Sequence, residues 1–202
     1  ITPQHGLIRK YYAKRALVPF GEYIPKGFGW IPNLDKLVGP TGRFEPGGDA
    51  RTMLLDVNST GNSLEIGPLV CYEDIFPHLA RSTTKQGADF LFVSTNNAWF
   101  GEEGCAEQHA AHSVLRAIEN RRPVLRSGNS GWSGWIDERG VRRSVMRDEN
   151  GSVYFEGAAT FSISRAPSLI SKETFFSKQG DWFPYACLPL CGLVLFAKRQ
   201  NK

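Results

Sequence analysis

The sequence is short of several things that would point to a function class. It has only two methionines and four histidines in 202 residues. Its four cysteines, Cys71, Cys105, Cys187 and Cys191, form no Cys-x-x-Cys pair and stand in no grouping with zinc spacing. That argues against a zinc framework and against a disulfide scaffold, and favours one thiol with a special task. Strong charge is also missing. A net charge of +4 is too small to argue for nucleic acid, and no finger, P-loop or RNA-binding signature occurs. There is no internal repeat and no low-complexity tract, because the 21 glycines and 12 prolines are spread between apolar runs. The first residues, "ITPQHGLIRKYYAKR", offer no initiator Met and no signal-peptide core, and read as a chain joined midway. What is present is a 41% hydrophobic, 12% aromatic chain, enough for one sizeable core and hence one globular domain by default.

A run of twenty apolar residues is lacking too, but one segment comes close. From Trp182 to Ala197 there is no charge, a stretch of about 16 residues against the roughly 20 of a spanning helix. A buried terminal helix or strand is one reading. A membrane segment is the other, favoured by Trp182 and Tyr185 at one end and Lys198, Arg199 and Lys202 at the other. The basic flank would then be cytoplasmic and the globular part would lie on the opposite side.

Along the chain, "YYAKRALVPF" reads as a strand leading into a loop, ended by Pro19 and Gly21. Residues 23–49 form a long loop of roughly 27 residues, of the length usual for functional lids. It carries Ile24, Phe28, Trp30, Ile31, Leu34, Leu37 and Phe44, which argue against disorder. "TMLLDV", "LEIGPLVCYE" and "ADFLFVST" read as strands, "HLARSTTKQG" as a short helix and "CAEQHAAHSVLRAIENRR" as the clearest helix. "PVLRSGNSGWSGWID" reads as a strand with glycine interruptions, and "VRRSVMR", "SVYFEG" and "ATFSIS" as later strands in hairpin order. Strand–helix–strand–helix–strand implies parallel pairing and a mixed α/β sheet, with any active site beyond the carboxyl ends of the strands.

Cys71 is the residue of most interest in that frame. It ends a strand and precedes a helix, where a thiolate can be favoured. A buried core thiol and a displayed nucleophile both fit. Lys14 and Glu22 alone would be a solvated pair. Glu73, two residues beyond Cys71, falls on the same side of an extended strand, or is an acid complementing a helix start. "TNNAWFG", Thr95 to Gly101, suits either a binding rim or a plain turn with aromatic anchors. His109 and His112 lack a third ligand, so no metal is expected.

Taken together, "YYAKRALVPFGEYIP", "GPLVCYEDIFP", "STNNAWFG" and "EQHAAHSVLRAIENRRPVLRSGNSGWSGWID" resemble the carbon–nitrogen hydrolase (nitrilase) superfamily. Within it they resemble the apolipoprotein N-acyltransferase family, and the run Lys-x-x-Leu-Val-Pro-Phe-Gly-Glu is the discriminating part. The resemblance implies a nitrilase-like αββα sandwich, N-terminally partial, over residues 1–178, followed by a C-terminal transmembrane helix and basic tail over 179–202. It implies catalytic Cys71 as nucleophile, forming a thioester, and Lys14 as stabiliser of the oxyanion. Glu22 would orient Lys14 or the base, while Tyr72 and Glu73 would shape and polarise the site. Asn97, Trp99 and Phe100 would form a substrate rim, and Phe28 and Trp30 a lipid-facing entrance. No cofactor is implied. The partners implied are a phospholipid acyl donor, a diacylglyceryl-cysteine lipoprotein and the bacterial inner membrane, with the catalytic domain outside the cytoplasm. The family's base is a Glu upstream of the Lys, and no acid precedes Lys14 here. The sequence therefore reads as the C-terminal part of a longer protein, expected to turn over little by itself. Asn97 also stands where the family commonly has Asp. A soluble amidase acting on a small carboxamide, and an inactive remnant, are the alternatives.

Overall fold

The computed structural model describes residues 11–28, 30–34, 44–57, 62–102, 104–170 and 172–200. The first ten residues, Leu37 in the long loop and Lys202 of the basic flank lie outside them. The fold is α/β, built on a mixed six-stranded sheet in the order β1 to β6. The strands are β1 (Met53–Val57), β2 (Asn62–Val70), β3 (Phe90–Asn96), β4 (Val124–Asn129), β5 (Gly134–Ile136) and β6 (Arg142–Val145). β2, β3 and β4 run parallel, with Val70 opposite Ser94 and Ser94 opposite Ser127. β1, β5 and β6 pair antiparallel at the two edges.

The parallel centre follows from the two helical crossovers, α1 (Pro77–Lys85) and α2 (Cys105–Asn120). Right-handed connections between successive parallel strands put both helices on one face of the sheet. Leu69, Leu91, Val93 and Val124 of the strands meet Ala80, Ala106, Ala110 and Ala117 of the helices in one buried cluster. Small residues on the helices let them approach closely. Gly67 does the same from β2, since a Cβ there would sit 2.8 Å from both Ala88 Cβ and Thr83 Cγ2.

Four strand expectations are corrected. The strand through "LEIGPLVCYE" stops at Val70, because Cys71 takes a left-handed φ of 55° and opens a 3-10 turn, Cys71–Ile75. The strand from 123 to 137 divides into β4 and β5 around a turn at 130–133. "SVYFEG" and "ATFSIS" form no strand; Val153 is buried and Tyr154 packs on the core, so the apolar residues anchor a loop. β-propensity expresses itself only where a partner strand is in place. "YYAKRALVPF" is irregular as well. Side chains hold it instead of a ladder: Arg15 Nη1 donates to Ser82 Oγ (2.8 Å), and its Nη2 to Leu79 O (3.0 Å) and Thr83 Oγ1 (2.8 Å).

After the sheet come α3 (Pro167–Ile170), α4 (Phe175–Gln179) and α5 (Trp182–Gln200). Thr174 caps α4 by accepting from Ser177 N, and Arg81 of α1 donates to the carbonyls of Phe176, Ser177 and Lys178, docking α4 on the body. α5 has Pro189 inside it and exposes Phe183, Tyr185, Leu188, Leu190, Leu193 and Phe196. The sequence expectation of a spanning helix is not met: among the described residues no helix is long and apolar enough to cross a membrane. The uncharged part of α5 reaches only about 24 Å at 1.5 Å per residue, short of a hydrocarbon core of about 30 Å.

Candidate functional site

The parallel strands deliver three chain segments to one end of the sheet. Cys71 follows β2, Asn97 follows β3 and Asn129 ends β4. A cleft of about 710 Å³ opens there, beyond the carboxyl ends, lined by Lys14, Glu22, Cys71, Tyr72, Trp99 and Phe100 among others. Residues far apart in sequence thus share one cleft.

Cys71 is half-buried and free. Its left-handed backbone is sparsely populated for a residue with a Cβ and persists only where surrounding contacts impose it. Those contacts come from the two residues that follow. Tyr72 donates to Leu17 O (2.8 Å), and burial pushes its phenol up. Glu73 is fully buried behind the turn. Its carboxylate accepts from Val70 N (2.7 Å), Tyr12 Oη (2.7 Å), Arg15 N (2.5 Å) and Ala16 N (3.1 Å). The expectation that Glu73 shares the side of Cys71 is corrected, since strand alternation ends at Val70. Glu73 instead staples the Lys14 segment to the Cys71 turn. Burial, and then the bond to Glu73, push the Tyr12 phenol upward.

That staple sets Lys14 in place. Its Nζ donates to both oxygens of Glu22 at 2.8 Å and lies 5.3 Å from the centre of the Tyr72 ring. Glu22 Oε2 also accepts from Val18 N at 2.7 Å. The pair is therefore no solvated surface pair; Lys14 is nearly buried, at 11% side-chain exposure.

The rim is divided. Trp99 and Phe100 are exposed at 71% and 61% and face the cleft. Asn97 is only 2% exposed and lies beneath them, its Nδ2 3.3 Å from His109 Nδ1 and 3.9 Å from Cys105 Sγ. Its expected place on the rim surface is corrected accordingly. Phe28 and Trp30 lie outside the residues lining the cleft; Phe28 packs edge-on against Phe20 at 5.3 Å, and Trp30 is 79% exposed.

Sequence reasoning passed over a buried polar network under the turn. Asp74 accepts from His109 Nε2 (2.8 Å), Ser113 Oγ (2.5 Å) and Arg126 Nη1 (2.5 Å). Burial opposes its charge, but the His109 bond and the Arg126 guanidinium outweigh this and hold the carboxyl below its usual range. His109, Ser113 and Arg116 occupy the buried face of α2 beside Ala106, Ala110 and Ala117. Polar residues spaced i, i+4, i+7 on an otherwise small, apolar helix face must find partners, and that spacing was the available clue. Among the described residues no group of three His, Cys, Asp or Glu side chains is arranged to hold a metal.

The chain is similar to several known proteins. The chain is 39% identical over 178 residues to the apolipoprotein N-acyltransferase of Geobacter metallireducens, covering 88% of this chain and 31% of that protein. It is 31% identical to the apolipoprotein N-acyltransferase of Thermotoga maritima, over 97% of this chain and 36% of that one. It is 34% identical to apolipoprotein N-acyltransferase 2 of Treponema denticola, over 100% and 37%. The chain thus spans about a third of the length of these curated relatives. Among solved structures, a cysteine-to-serine variant of the Nesterenkonia AN1 amidase, of the nitrilase superfamily, gives a TM-score of 0.48 at 20% identity, covering 71% of this chain and 48% of that one. The carbon–nitrogen hydrolase profile matches residues 2–161, the span that holds Lys14, Glu22, Cys71 and the rim. With that match over most of its length, the chain belongs to the carbon–nitrogen hydrolase family.

Proposed function

We propose that the whole protein transfers a fatty acyl group from a phospholipid, through a thioester on Cys71, to the N-terminal amine of a diacylglyceryl-cysteine lipoprotein. The observation that carries this is the placement of Cys71 and the Glu22-held Lys14 ammonium in one cleft with exposed aromatic walls. Cys71 Sγ attacks the ester carbonyl. The bond to the glycerol oxygen breaks, the lysophospholipid leaves with a proton, and the acyl group stays as a thioester. The lipoprotein amine then attacks the thioester, forming the amide and returning the thiol. The Lys14 ammonium meets the negative charge that develops on the carbonyl oxygen in both steps. His109, held between Asp74 and Asn97, offers the thiol no free lone pair, and the Glu22 carboxylate is already engaged by the Lys14 cation and the backbone N–H of Val18. The proposal keeps the base on a Glu from a part of the whole protein N-terminal to Lys14.

In the whole protein we place the six-stranded sheet in an αββα sandwich, with the hydrolase domain reaching residue 178 and residues 179–202 as a separate tail. The tail helix α5, with its exposed Leu, Phe and Tyr side chains, engages the bilayer of the bacterial inner membrane, and the cleft lies on the extracytoplasmic side.

The test is mass spectrometry of the full-length protein after incubation with phospholipid. An acyl adduct on Cys71, discharged by a lipoprotein amine, supports the reading; turnover of a small carboxamide with no adduct from phospholipid would replace it with the amidase reading. Lys14→Met should lower kcat by roughly 10²–10³-fold with little change in KM, as when one oxyanion donor is removed. Unchanged kcat would take Lys14 out of the mechanism. Phe28→Ser with Trp30→Ser should raise KM for vesicle phospholipid by roughly 10-fold, since two aromatic side chains at an interface are lost. Unaltered lipid kinetics would remove the entrance role.

A further inference from the structure

We propose that His109 is a positioning residue, acting through Asn97 to hold the aromatic rim of the cleft; the kinetic part of this rests on the acyltransferase reading above. His109 projects from α2, is 8% exposed and lines the cleft. Its Nε2 faces the Asp74 carboxylate, which can only accept, so Nε2 carries the proton. That leaves Nδ1 to accept from Asn97 Nδ2 at 3.3 Å. The imidazole therefore joins the turn that carries Cys71 to the segment that carries Trp99 and Phe100.

The two ends of this bridge are unequal. Asp74 has other anchors, in Ser113 Oγ and Arg126 Nη1. The side chain of Asn97 has few. Among the described residues its Oδ1 is buried with no hydrogen-bond partner, and its only other side-chain contact of this kind is the long one to Cys105 Sγ. Its backbone, in contrast, is the base of the rim: Asn97 N donates to Asn129 O (2.9 Å), and Asn97 O accepts from Phe100 N (3.0 Å). Gly131 leaves little room beside it, as a Cβ there would lie 3.0 Å from Asn97 Oδ1. Withdrawing the Nδ1 acceptor thus leaves a buried amide unheld directly beneath Trp99 and Phe100, whereas withdrawing the Nε2 donor leaves Asp74 well held.

Two near-isosteres separate the ends. A Gln side chain places an amide N–H near Nε2 and offers nothing at Nδ1. An Asn side chain places an oxygen near Nδ1 and does not reach Asp74. In the full-length protein, His109→Gln and His109→Ala should raise KM for the phospholipid by about 5–10-fold, the loss of about one hydrogen bond, with kcat held within about twofold. His109→Asn should restore KM to near the wild-type value. Independently of any substrate, amide hydrogen exchange over residues 97–101 should quicken in His109→Gln and return toward wild type in His109→Asn, while exchange in β3 stays slow in both. If Gln and Asn variants lose protection alike, or if kcat and KM change together, His109 is a structural residue and the proposal is overturned. If the wild type forms no acyl adduct, the acyltransferase reading fails, and the exchange pattern still decides the role of His109.

Discussion

Cys71→Ala should abolish both the phospholipid-derived adduct and turnover, a loss on the order of 10⁶-fold, as when the nucleophile of a covalent enzyme is deleted. The sulfur is the atom that would hold the acyl group, and alanine offers nothing in its place. The fold should survive the change, because the contacts that impose the left-handed turn come from Tyr72 and Glu73 and not from the thiol. Cys105→Ala is the control. Its sulfur also faces the cleft, but among the described residues its one hydrogen-bond contact is the 3.9 Å approach of Asn97 Nδ2, so activity should stay within about twofold. Mass spectrometry and initial rates on the two variants separate the thiols. An adduct that persists in Cys71→Ala, or one lost in Cys105→Ala, would move the chemistry to Cys105.

The largest effect on stability should come from Asp74→Asn, a loss of about 3–5 kcal/mol, the cost of breaking one side of a buried ion pair. Both partners are enclosed: Asp74 is 0% exposed and Arg126 2%. Removing the carboxylate charge leaves the Arg126 guanidinium without its counter-charge, and two of its nitrogens, Nε and Nη2, already lack partners among the described residues. Against a typical domain stability of about 5–15 kcal/mol this is a large fraction. Urea denaturation at neutral pH measures it. Replacing the pair together, with Asp74→Asn and Arg126→Met, should recover part of the loss, because the uncompensated charge goes with it. The pH dependence follows from the lowered carboxyl of Asp74. Its stabilisation is fully present above the unfolded carboxylate pKa of about 3.9 and is lost as pH falls through the lower folded value. Wild-type protein should thus lose stability on acidification below about pH 4 more steeply than Asp74→Asn. Parallel acid limbs would mean that Asp74 does not carry the charge of this network.

Much of the scaffold is legible in the sequence. The apolar runs at 66–70 and 90–93, the helix between Cys105 and Asn120 and their alternation predict the parallel centre of the sheet, and the structure has it. The position of Cys71 at a strand end also predicts a cleft beyond the carboxyl ends, and Lys14, Glu22, Tyr72, Trp99 and Phe100 gather there. The misplacements share one cause. Strand alternation gives Glu73 the side of Cys71, and company with Trp99 and Phe100 gives Asn97 a place on the rim. Both assignments are local, whereas both positions are fixed by partners far away: Tyr12 and Arg15 for Glu73, His109 for Asn97. The tail is a different case, where an uncharged run flanked by Trp182 and Tyr185 at one end and Lys198 and Arg199 at the other resembles a spanning segment without the length or apolarity of one.

By itself, then, the sequence determined the buried faces and the order of the central strands and the two helices between them, because periodicity of apolar residues is a property of neighbouring positions. Only the tertiary structure decided what the acids beside Cys71 do. A left-handed residue at 71 ends the strand and turns Glu73 and Asp74 inward. A buried carboxylate must then fill its lone pairs with whatever donors the fold brings, here the backbone of residues 15 and 16 and the side chains of His109, Ser113 and Arg126. No spacing along the chain encodes those pairings, since they depend on how β2, α2, β4 and the Lys14 segment pack around one point.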